Sequence, residues 1–266
     1  MLIDVECRHW IRIWISLWLE QRVHYNLRKK DDMRRTIREM TEQLMGLGDE
    51  AWGHYAFFHE PLERKLSKEQ KASYTKLAMK CGREEGVLLK TANPQKTVLE
   101  ITRDMGIRVE TPDIPNGGGH VTFAQYEETG KIIIFMDCIK KADDLIRSEG
   151  MEELFADVDI FSVLLSHELF HVVEHKKRNT IFTQTEKIEL WRKPFSNKSR
   201  IIALSEMAAM AFAGEIQGLP FSPYVFDVVL MYCYSKEAAE ALYEEIMEAA
   251  SQKEENDADN KREDRK

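Results

Sequence analysis

The chain has 266 residues, 43% of them hydrophobic and 32% charged, and carries a formal net charge of −8. That length and apolar content suffice for a buried core in one large domain or two small ones. The acidic balance excludes non-specific nucleic-acid binding as the main activity, because neutralising phosphates takes a basic surface.

Residues 1–90 read as a mostly helical N-terminal region, with apolar positions three and four apart among mixed charges. Trp10, Trp14 and Trp18 recur at helical spacing in a run that follows Asp4 and Glu6 and contains Arg12. The run is too short to span a bilayer and lacks a signal-peptide pattern, so packing on another helix is expected over a membrane interface. Arg28 to Arg35 is interleaved with Asp31 and Asp32 and reads as a solvated face. The aromatic stretch 51–61 contains His54 and His59, with no second pair at ligand spacing, and is expected in the core. Cys7, Cys81, Cys138 and Cys233 are far apart and form no CxxC pair, as expected of reduced thiols in a cytoplasmic protein.

A second region, 91–250, opens with prolines and the loop Asn116-Gly117-Gly118-Gly119, which matches no phosphate-binding motif. Val121–Tyr126 and Lys131–Met136 alternate as strands around a turn at Glu127–Gly130. One of these two strands is expected to hold a peptide as an added strand.

The next segment, Ile160–Val173, is an apolar helix interrupted by His167-Glu168-Leu169-Phe170-His171. One helical turn separates the two histidines, so both imidazoles face one side and can share a metal ion. Glu168 is placed to take a proton from a water on that ion. Asp157 or Asp159 offers the N-cap, and Lys176-Lys177-Arg178 suits the C-terminal end of the helix dipole. Two satisfied core histidines are the bland alternative, disfavoured because burying such groups without purpose is costly.

A catalytic zinc site takes three protein ligands. Glu174 and His175 follow on the same helix, but His175 lies about 12 Å along the axis from His167. Glu174 and Lys177 stand where a metzincin needs glycine and histidine. The stronger candidate is Glu206, the only charge between Arg200 and Glu215 in an apolar helix running from near Ser199 to Gly218-Leu219-Pro220. Ala203, Ala209 and Ala213 would let a second helix approach it. The alternative is a buried ion pair with Arg200 or Arg192; Glu186, Glu189 and Glu215 are weaker rivals for the metal. Residues 221–250 hold at least one more helix. The charged tail 251–266 has nothing apolar to bury and is expected to be disordered.

HExxH followed by a glutamate on a later helix resembles the gluzincin arrangement. Phe161–His171 also resembles the active-helix block of the ImmA/IrrE family of metallopeptidase-like proteins. Glu206–Ala213 resembles that family's E-x-x-A-N-x-F-A block, with Met210 in place of asparagine, and Met105–Val109 and Lys131–Met136 look like its small sheet. The resemblance covers about residues 95–220 and implies an α+β, predominantly helical fold. In it, a zincin-like domain packs a small antiparallel sheet on the HExxH helix. It further implies a zinc metalloendopeptidase with a specific protein substrate, such as a regulator. In that reading Zn²⁺ is held by His167, His171 and Glu206, with Glu168 as the catalytic base. Mn²⁺, Fe²⁺ or Co²⁺ also suit such a site. The residue that stabilises the oxyanion is left open among Tyr224, Tyr232, Tyr234, His120 and Arg200. Thermolysin-like enzymes carry an aspartate where Met210 stands, so another group must orient the histidine. The rival from another class is a zinc-binding regulatory or interaction module without proteolysis.

Overall fold

The structure, a computed structural model, describes residues 35–114, 122–191 and 197–263, the stretch beyond Ser251 as backbone. The tryptophan stripe, the basic run before Arg35, the Asn116–Gly119 loop, His120 and Arg192 lie outside the described residues. In chain order come helices α1 (Ile37–Met45), α2 (Asp49–Phe58), α3 (Lys68–Ala92) and α4 (Val98–Asp104), then strands β1 (Arg108–Glu110), β2 (Ala124–Glu127) and β3 (Lys131–Ile134). Helices α5 (Met136–Ser148), α6 (Ile160–Lys176) and α7 (Phe182–Thr185) follow, then β4 (Ile188–Trp191) and β5 (Asn197–Ser199), and finally α8 (Ile202–Gln217), α9 (Val225–Tyr232) and α10 (Lys236–Glu263). The architecture is α+β and predominantly helical.

Local chemistry starts and stops these helices. Thr36 with Glu39, Ser67 with Gln70, and Thr97 with Glu100 form reciprocal capping boxes on α1, α3 and α4. Of the two aspartates expected to cap α6, Asp159 does so, accepting from the Phe161 amide at 3.2 Å. α8 has no cap of its own; the buried Glu60 reaches in and accepts from the Ala203 amide at 2.9 Å. Gly218 ends α8 in the left-handed conformation, φ 65°, which glycine adopts without a Cβ penalty.

The sheet differs from the antiparallel one expected. Its order is β1-β3-β2; β2 and β3 pair antiparallel as a hairpin, but β1 pairs parallel to β3, Arg108 opposite Lys131. β2, which runs antiparallel to β3, carries the chain back between β1 and β3, so these two run parallel without a helical crossover. A second feature not read from the sequence is the β4–β5 hairpin, which lies between α6 and α8.

α6 is buried on every side from Val163 to Glu174, as a helix apolar all round should be. It packs on β2 and β3 and on α8, and α8 also packs along α3. The α3–α8 approach is so close that a Cβ at Gly82 would collide with the Ala208 carbonyl. Among the described residues one hydrophobic cluster runs from Ile37 to Ala249. Trp52, Tyr55 and Phe57 join it, as expected of the aromatic stretch, while Phe58 is 46% exposed. The backbone of α10 is helical to Glu263. Its Glu, Lys, Ala and Gln are good helix formers and continue the helix without needing a core.

Candidate metal centre

His167 and His171 lie on α6 and Glu206 on α8, and the α6–α8 contact brings the three together. Their ligand atoms all lie within 4.8 Å of one another. His167 Nε2 is 3.2 Å from His171 Nε2 and 3.4 Å from Glu206 Oε2, and His171 Nε2 is 3.7 Å from Glu206 Oε1. A tetrahedral zinc with bonds near 2.0–2.1 Å spaces its donors about 3.3 Å apart. The residues therefore fit a metal, and the group could hold one ion. The histidines are 2% and 1% exposed while the Glu206 side chain is 20% exposed, so solvent reaches the group from the Glu206 side.

Glu168, between the two histidines in sequence, is buried at 1% exposure. Burial pulls His167 towards its neutral form. The hydrogen bond and charge of Glu206, joined by Glu168 and Asp227, outweigh that and raise its pKa.

Behind the histidines lie groups of which the sequence reading named only Glu174 and Tyr224, each in another role. Glu174, 1% exposed, places Oε2 3.6 Å from His171 Nδ1. Ser205 Oγ lies 3.4 Å from the same Nδ1 and donates to Glu174 Oε2 at 2.8 Å; Thr183 Oγ1 donates to Glu174 Oε1 at 2.5 Å. On the other side, burial pushes the Asp227 carboxyl up to about 7, against the pull of His167 and of a 3.3 Å hydrogen bond from Tyr55. Tyr224 stacks on Trp52 with ring centroids 5.2 Å apart. Its hydroxyl is buried and has no hydrogen-bond partner among the described residues. Burial, then the charges of Glu206 and Asp227, raise its pKa well above the usual. Glu174's three-residue spacing from His171 was a signal available beforehand, and Tyr224 was already a candidate oxyanion donor; Ser205, Thr183 and Asp227 were not marked by the sequence.

The other candidates fall elsewhere. His175 sits apart from the group, its Nδ1 3.5 Å from Glu128. Arg200 is exposed and donates to Gln184. Glu186 accepts from the Tyr74 hydroxyl, and Glu215 lies 4.0 Å from Lys90. His59 pairs with Glu245 at 2.7 Å. Tyr234 donates to Asp137 at 2.7 Å. Among the described residues no helix is long and apolar enough to cross a membrane. No protein-family model matches the chain, and neither does any curated protein or solved structure.

Proposed function

We propose that the chain is a zinc-dependent endopeptidase of the gluzincin kind, cytoplasmic, acting on a specific protein substrate such as a regulator. The observation that carries this reading is the zinc-like spacing of His167, His171 and Glu206 with Glu168 buried beside them. A zinc ion held there would acidify a bound water and polarise the scissile carbonyl. Glu168 takes the proton of the attacking water and returns it to the leaving amine. Of the five candidates for the oxyanion donor, Tyr224 is favoured, because its hydroxyl makes no hydrogen bond among the described residues and feels the charge of Glu206. An extended substrate would add to β2, since β3 is flanked on both sides by β1 and β2.

The test is hydrolysis of a fluorogenic peptide library by zinc-loaded wild type and by Glu168→Gln. Cleavage by the wild type and a loss of about 100-fold or more in the variant, with zinc retained, supports the peptidase. Zinc held by both proteins with no Glu168-dependent cleavage favours the regulatory module.

A further inference from the structure

We infer that Glu174 is the positioning residue of the metal centre, holding His171 in the tautomer that turns an unprotonated Nε2 towards the ion. The inference rests on the reading of His167, His171 and Glu206 as ligands.

It follows from counting protons. A serine or threonine hydroxyl has one proton to give, and a carboxylate has none. Ser205 gives its proton to Glu174 Oε2 and Thr183 gives its own to Glu174 Oε1. Two oxygens beside His171 Nδ1, Ser205 Oγ at 3.4 Å and Glu174 Oε2 at 3.6 Å, are therefore both acceptors on that side. These acceptors favour the tautomer with the hydrogen on Nδ1, which leaves the lone pair on Nε2. That nitrogen is the one facing His167 and Glu206. A buried carboxylate behind a ligating imidazole also makes it a stronger donor.

The same carboxylate ties three helices together. His171 and Glu174 belong to α6, Thr183 to α7, and Ser205 to α8, next to the ligand Glu206. The segment between the two metal helices thus contributes to the site through Thr183. Glu174 fills the need left by Met210, from a different helix and a different place in the chain.

The experiment measures metal affinity by chelator competition, with Zn²⁺ and with Co²⁺ as spectroscopic probe, on wild type, Glu174→Gln, Glu174→Asp and Thr183→Val. Metal-free melting is recorded for each. A glutamine amide would present a donor to Nδ1 and favour the wrong tautomer. Glu174→Gln should bind zinc about 10–100-fold more weakly with a shifted Co²⁺ ligand-field band, while its metal-free melting stays near wild type. Glu174→Asp should recover part of the affinity. Thr183→Val, which leaves His171 untouched, should show a smaller loss in the same direction. Unchanged affinity and spectrum in both Glu174→Gln and Thr183→Val overturn the inference and leave the metal site standing. Loss of affinity only in proportion to lost metal-free stability, across all three variants, also overturns it. A wild type that binds neither metal overturns the ligand assignment itself.

Discussion

His167 and His171 point their Nε2 atoms at each other across one turn of α6, 3.2 Å apart and both nearly excluded from solvent. Two imidazolium ions cannot face each other that closely in a buried site. Only one hydrogen fits between the two nitrogens, and a cation shared with Glu206 satisfies all three groups.

The first prediction concerns Glu206. Wild type should hold about one zinc per chain, and Glu206→Ala should retain little after dialysis against a weak chelator, read by mass spectrometry. Full occupancy in the variant would exclude Glu206 as a ligand.

The metal-free protein should lose stability as pH rises from about 5 to 8. Asp227, ordinarily near 3.8, is pushed up to about 7 when folded, and His167 and Glu60 are raised as well. A group raised on folding binds more protons in the native state; its stabilisation is complete below its unfolded pKa and is lost as pH climbs through the folded one. Carboxylates lowered on folding, such as Glu39 and Glu100, act in the opposite sense only below their ordinary 4.5. Asp227→Asn should flatten the fall between pH 5 and 8. Saturating zinc should also flatten it, since a metal takes the place of the protons. Thermal melts at stepped pH give the comparison.

If Tyr224 donates to the oxyanion, Tyr224→Phe should lower kcat by about 100-fold or more, with KM and zinc content little changed. An unchanged kcat would return the donor to the other candidates.

Two glycine substitutions should have opposite signs. Gly82→Ala drives a methyl into the Ala208 carbonyl and should destabilise by about 1–3 kcal/mol, because α3 or α8 must shift. Gly214→Ala, inside α8, meets only Pro223 at an ordinary 3.5 Å and should stabilise by about 0.5–1 kcal/mol. Chemical denaturation measures both.

Periodicity along one helix needs no knowledge of the rest of the fold. The shared face of His167 and His171, an aspartate cap at Asp157 or Asp159 and the stop at Gly218 were therefore legible in the sequence itself. Glu206 was legible for a related reason: a lone carboxylate in an apolar helix needs a partner wherever that helix packs. Tertiary structure alone decided which partner each group met. It set β1 parallel to β3, ran α3 against α8 at Gly82, brought Glu60 to the start of α8, and put Ser205 against Glu174 and Tyr224 near Glu206. Those relationships join residues far apart in sequence through backbone proximity and side-chain direction, which local spacing does not encode.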